Sequence, residues 1–428
     1  MTPTPEARTG SCPSALPSPR RLRAADRLPG AIVGLVAAAL PLVGACSFDS
    51  PKLLKTPKGL YQILNSAPYA DDATIFGERW RVIDAPELKV DHGFTCASAP
   101  HGATNTDIGV RLQETAPLPS ANWDATVLLN GWDVQYIGDD HHVLGLGSTI
   151  FNIARNSDGL FWEAGGVLSD RNGDDPYRWC YDYTILSWLK GPQHIDMSAV
   201  HADAGAKLVF VDRRVQSRYN RVKQAGFRAP TDPRARLLTG FGVTFDDTDH
   251  HLLQFGFDLA EAKTNGRRIN WGSRVILKDN SHRRYGVGHL ATVLTGSSVS
   301  VWKPTKVVIE EGHPQSPREI DNDLVLTPRD DVNVCLSGPA QHIYHVRVDD
   351  VPFDYAVPML TGWDVGTLCD DEEIKHVGAW IEDWSWHKNP GDPTGTLRYT
   401  VRNVTADKDP DSPTADGFQI EVLGIAPR

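Results

Sequence analysis

The chain lacks the signatures of the commoner catalytic machineries. It has no Gly-x-Ser-x-Gly elbow, no HExxH pair and no GxxxxGK phosphate loop. Neighbouring carboxylates such as Glu310-Glu311 and Asp349-Asp350 would diverge from a strand, not flank one bond. Cysteine is scarce, 6 in 428 residues, and none forms a CxxC pair, which argues against a structural zinc site. Positive charge is in deficit: 43 Lys and Arg against 54 Asp and Glu give a net charge of −11. A surface without a basic surplus is a poor match for phosphate backbones, so no nucleic-acid partner is expected. Long apolar runs are missing too. The longest, Ala31 to Ala45, is too short for a membrane-spanning helix.

What is present is a pattern that occurs three times. The copies read LLNGWDVQYIGDDHHVLGLG from Leu128, LLTGFGVTFDDTDHHLLQFG from Leu237 and MLTGWDVGTLCDDEEIKHVG from Met359. They align without a gap. Each has a Gly-aromatic pair (Gly131-Trp132, Gly240-Phe241, Gly362-Trp363), a Val two residues after the aromatic, an Asp followed by a doublet, and a closing Gly (Gly147, Gly256, Gly378). The spacing is too long for a solenoid and suits a small domain.

Short alternating segments bounded by Gly, Asn, Asp and Pro surround each copy, and no long stretch shows helical periodicity. The expected fold is all-β: three tandem antiparallel β-sandwich repeats after an N-terminal signal and tether. The divisions are 1–45 signal, 46–86 tether, 87–192 first repeat, 203–302 second repeat, 303–331 linker and 332–428 third repeat. Glu78 to Ile83 reads as a strand, and Lys306 to Glu310 as a strand within the linker. Val215 to Ala225 reads as a loop or a helix.

The N-terminus has the layout of an export signal: Arg20, Arg21, Arg23 and Arg27, then the apolar run, then small residues. Its end, Val43-Gly44-Ala45-Cys46, resembles a bacterial lipobox, which implies lipidation at Cys46. The expected location is an outer-membrane or cell-surface lipoprotein, with a periplasmic or secreted protein as the alternative. Four cysteines then remain, Cys96, Cys180, Cys335 and Cys369. In an exported chain an even number favours disulfides, here Cys96–Cys180 and Cys335–Cys369, each closing within one repeat.

Three groups are candidate sites. Asp140-His141-His142 and Asp249-His250-His251 carry metal-ligand residue types. Adjacent strand residues face opposite ways, and the third copy has Glu372-Glu373 instead, so turn capping competes with metal binding. Asp170, Asn172 and Asp174 alternate as in the first half of a calcium loop, but Asp175 stands where that pattern needs Gly. Beyond that calcium no cofactor is expected. Trp380, Trp384 and Trp386 would share one face of a strand, as a stacking platform or as core.

Leu129-Asn130-Gly131, with a polar turn and strand after it, and the closing strands Ile185-Leu-Ser-Trp188 and Val422-Leu-Gly-Ile425, resemble the H-type lectin domain, a small antiparallel sandwich. That resemblance implies a sandwich fold and sugar recognition, and maps no sugar-contacting residue onto this chain. The expected function is a non-enzymatic binding or structural protein of the envelope, with an envelope or extracellular protein or a glycan as partner and the membrane reached through the lipid. The alternatives are a lectin-like surface protein and a metal-dependent hydrolase using the Asp-His-His motifs.

Overall fold

The computed structural model describes residues 75–98, 110–137, 142–143, 145–156, 159–169, 175–191, 193–200, 213–214, 220–221, 225–245, 252–259, 262–279, 284–312, 316–322, 341–367, 374–406 and 414–427. Every regular element among them is a strand. The first third holds β1 (Ile75–Asp84), β2 (Leu88–Ser98), β3 (Val110–Ala116), β4 (Trp123–Tyr136), β5 (Gly145–Arg155), β6 (Leu160–Ser169), β7 (Tyr177–Leu189) and β8 (Ser198–Val200). The middle holds β9 (Arg213–Arg214), β10 (Asn220–Arg221), β11 (Ala225–Arg228), β12 (Pro233–Phe245), β13 (Leu252–Leu259), β14 (Lys263–Asn265), β15 (Arg268–Trp271), β16 (Ser273–Asp279), β17 (Arg284–Thr295) and β18 (Val299–Trp302). The last third holds β19 (Lys306–Glu311), β20 (Arg318–Asp321), β21 (Gln341–Val351), β22 (Tyr355–Thr367), β23 (His376–His387), β24 (Gly395–Ala406) and β25 (Thr414–Ile425).

Three large antiparallel sheets result. Their orders are β1-β2-β7-β4-β23-β24-β21-β19-β20, β10-β16-β13-β22-β25-β18 and β3-β6-β5-β12-β17-β8; a fourth, small sheet is β11-β15-β14. The architecture is sandwich-like, but its sheets do not respect the expected repeat boundaries. The β4 strand of the first segment pairs with β23 of the last. Likewise β5 pairs with β12 of the middle segment, and β13 pairs with β22 of the last. The described residues belong to one compact unit.

The three motif glycines hold the same place. Each of β4, β12 and β22 carries a bulge one residue before its glycine, between Leu129 and Gly131, Leu238 and Gly240, and Leu360 and Gly362. Each glycine then faces the residue eighteen positions after another copy's glycine: Gly131 faces Trp380, Gly240 faces Thr149, and Gly362 faces Asp258. A bulge pins register, because a one-residue slip would turn the core face outward. Close approach explains the glycines. A Cβ on Gly131 would lie 2.1 Å from Trp380 Cβ, and one on Gly240 would lie 2.1 Å from Thr149 Oγ1.

The motif aromatics meet at the centre. Ring centroids are 5.1 Å apart for Trp132–Phe241, 5.7 Å for Trp132–Trp363 and 4.7 Å for Phe241–Trp363. Phe257 stacks on Trp363 at 4.8 Å. One continuous apolar core surrounds them. Such tilted and offset ring pairs add to the stabilisation from burying their area. Strands near this centre, such as β4, are buried on both faces, while β21 far from it alternates.

The strands expected outside the repeats are present and are joined to the sheets of the body. The end of the expected tether, β1, is an edge strand of the nine-stranded sheet, paired along its length with β2. The expected linker supplies β19 and β20, a hairpin docked on β21. Residues 220–221 pair with β16 as a strand, which removes the helical reading there. The Cys96–Cys180 disulfide joins directly opposed residues of β2 and β7. Cys46, Cys335 and Cys369 lie outside the described residues.

Candidate functional site

The three tryptophans do not form one platform. A register shift between Ile381 and Asp383 inserts Glu382 as an extra residue in β23. Trp380 is paired with Arg402, whereas Trp384 and Trp386 are paired with Tyr399 and Leu397, which point to the other face of β24. Trp384 is therefore core, and Trp386 packs half-buried against it. Trp386 also lines an open cleft of about 680 Å³ with Tyr355 and Lys388, and its indole N–H donates to the Asp354 carbonyl at 2.9 Å. Trp380 alone turns toward a second hollow.

That hollow, about 400 Å³, lies where the nine-stranded sheet crosses from the first segment to the last. Its apolar wall is the Trp380 ring with Phe94, centroids 6.2 Å apart, and the 58% exposed Phe76 beyond. The Cys96–Cys180 disulfide forms part of its lining. Opposite stands Asp133, from the motif of β4, with its carboxylate almost wholly buried. One oxygen accepts from His376 Nε2 at 2.5 Å and the other from Arg178 Nη2 at 3.3 Å. Gly378 makes this packing fit: a Cβ there would lie 2.7 Å from the Asp133 carboxylate. The Arg402 guanidinium lies 5.7 Å from the Trp380 ring centroid and bonds Glu382, the bulge residue. With both oxygens engaged, Asp133 is a fixed acceptor between an imidazole and a guanidinium. Flat rings on one side and oriented polar groups on the other make a binding surface.

Nearby, on the same strands, lies a fully buried pair. His92 Nε2 is 3.5 Å from Asp182 Oδ2, with Trp80 packed edge-on to the imidazole at 4.8 Å. Burial pushes the His92 pKa down to about 4, outweighing the nearby backbone of Ile381 and Glu382. Burial also raises the Asp182 carboxyl well above the usual range, with Glu382 adding to it. Both side chains are thus held toward their uncharged forms.

Of the remaining candidates, His142 is half-buried, and its carbonyl accepts from the Tyr136 hydroxyl at 3.3 Å. Asp140, His141, Asp249, His250 and His251 lie outside the described residues, as do Asp170, Asn172 and Asp174. Among the described residues no cluster of three or more His, Cys, Asp or Glu is arranged to hold a metal ion.

Sequence reasoning found Trp380 and missed Asp133, Arg178, His376, Phe94 and Arg402. Asp133 was inside the repeated motif. The others sit on strands far apart in the chain, and only the pairing of β4 with β23 brings them together. A signal did exist. Fourteen residues after the motif glycine the copies read Gly145, Gln254 and His376, and at eighteen they read Thr149, Asp258 and Trp380. Comparison of the chain with protein-family models, with curated proteins and with solved structures returned no match.

Proposed function

We propose that residues 87–428 contain three copies of one sandwich unit whose sheets interlace, and that the protein is a non-enzymatic carbohydrate-binding protein of the cell envelope. The observation that carries the binding reading is the hollow beside Trp380. An indole face suits the C–H face of a sugar ring, and the Arg178 side chain, exposed and held by Asp133, offers an oriented donor for hydroxyl groups. Support for the repeat is the shared register of Gly131, Gly240 and Gly362. Export, with a lipid anchor at Cys46, is supported by the signal-like N-terminus and by a disulfide in the body, which an oxidising compartment favours.

The test is a glycan array probed with the full chain and with Trp380→Ala. Binding to a subset of glycans that disappears in the variant is the expected result. No binding by the unaltered chain to any glycan overturns the carbohydrate reading. Incorporation of labelled fatty acid, lost in Cys46→Ala, tests the anchor separately.

A further inference from the structure

The hollow lies at one of three seams that the fold builds alike. Each seam joins a motif strand (β4, β12 or β22) to the strand that follows another copy's motif (β23, β5 or β13). The register is the same at all three, so the residues at matching positions compare directly.

At the position of Asp133 the other seams have Gly242 and Asp364. At that of His376 they have Gly145 and Gln254. At that of Trp380 they have Thr149 and Asp258. Arg178 is opposite Gln135, and its counterparts, opposite Thr244 and Gly366, are Gly286 and Ala415. Arg402, opposite Trp380, corresponds to Gly165 opposite Thr149 and to Arg274 opposite Asp258.

The chemistry therefore differs seam by seam. At the compared positions the β12–β5 seam has only glycines and Thr149, which donates to the Thr239 carbonyl at 3.2 Å. It offers neither a ring nor a charge. The β22–β13 seam is polar and closed upon itself. Gln254 donates to both Asp364 oxygens at 2.8 and 2.9 Å. Arg274 Nε and Gln419 hold the two oxygens of Asp258 at 2.6 and 2.7 Å. Asp133 is held by two donors in the same way, so the carboxylates do not separate the two seams; what differs is that Arg274 faces Asp258 where Arg402 faces the Trp380 ring. Among the described residues, the β4–β23 seam sets rings and an arginine side chain that is 42% exposed around a hollow.

We infer that, of the three equivalent seams, only β4–β23 takes a ligand, and Arg178, His376 and Trp380 are the residues that make the difference. This rests on the binding reading above. The inference fixes stoichiometry and the residues that determine it, neither of which follows from binding alone.

The experiment uses the full chain and a panel of free methyl glycosides: neutral hexoses, N-acetylhexosamines and hexuronic acids. Binding is read by ligand-observed NMR, and the stoichiometry of the tightest by calorimetry. Arg178→Ala and His376→Gln each copy the residue that another seam already carries, so both are compatible with the shared backbone. The expected result is one glycoside per chain, with each variant weakening it about tenfold or more, the value of a hydrogen bond to a charged group. Gln254→Ala, in the polar seam, is expected to bind as the parent does. Two or three glycosides per chain, or weakening by Gln254→Ala but not by Arg178→Ala and His376→Gln, overturns this inference while leaving the binding reading intact. No binding by any panel member overturns both.

Discussion

Gly131 and Trp380 come from opposite ends of the folded chain and face each other so closely that a Cβ on Gly131 would meet Trp380 Cβ at 2.1 Å and its Cα at 2.3 Å. Neither a rotamer change nor a small shift relieves a clash with backbone. Gly131→Ala is therefore expected to cost about 3 kcal/mol or more. Gly240→Ala, 2.1 Å from Thr149 Oγ1, should cost a similar amount, and Gly362→Ala, with its nearest contact at 2.9 Å, distinctly less. Urea midpoints of the three variants give the ranking.

The central rings tie the three segments into one core. Phe241 lies within 4.7 Å of Trp363 and 5.1 Å of Trp132, each from a different segment. Phe241→Ala should destabilise the whole body by about 3–5 kcal/mol. Because every large sheet draws on two segments, calorimetry should show one cooperative transition for parent and variant, not three. A fragment of residues 203–302 should lack native β structure by circular dichroism, since its β12 and β13 edges normally pair with β5 and β22.

Breaking the Cys96–Cys180 bridge should lower stability by about 2–4 kcal/mol. The two residues are 84 apart in sequence, so the bond closes a long loop in the unfolded chain. Denaturation of the Cys96→Ala, Cys180→Ala double variant against the oxidised parent measures the difference.

His289 should make the protein acid-sensitive. It is fully buried, accepts from Trp271 Nε1 at 2.8 Å, and has its pKa pushed down to about 4 by burial and then by Arg236. The unfolded chain takes up a proton near pH 6.5 while the folded one does so only near 4. Stability is therefore full above pH 6.5 and falls as pH drops toward 4, by at most about 1.4 kcal/mol per pH unit for this group. His92 acts with the same sign. Asp182 acts with the opposite one, since its raised pKa removes stability as pH rises above the usual carboxylate range. In His289→Gln the midpoint-versus-pH curve between 4 and 6.5 should be flatter than in the parent.

Much of the fold was legible in the repeated motif. Its glycine and aromatic mark equivalent places in β4, β12 and β22, and the alignment matched residues that share register. What the motif did not reveal was which strand lies on the other side of each glycine. That is a choice among sheet edges, and nothing local in β4 distinguishes β5 from β23 as its neighbour. The tryptophan platform failed for a smaller reason. Strict alternation holds only without a bulge, and Glu382 reverses it between Trp380 and Trp384. The hollow was invisible because Arg178, His376 and Phe94 are ordinary residues until β7, β23 and β2 are side by side.

The pairing of β4 with β23 also sets an order of events during synthesis. Residues 123–136 leave the ribosome long before residues 376–380, so one edge of β4 waits with unpaired backbone groups while the rest of the chain is made. An open edge of that kind is prone to pair wrongly. The first and last thirds must find each other before the ring of seams is complete, and the ligand hollow, which straddles that junction, comes into being only then.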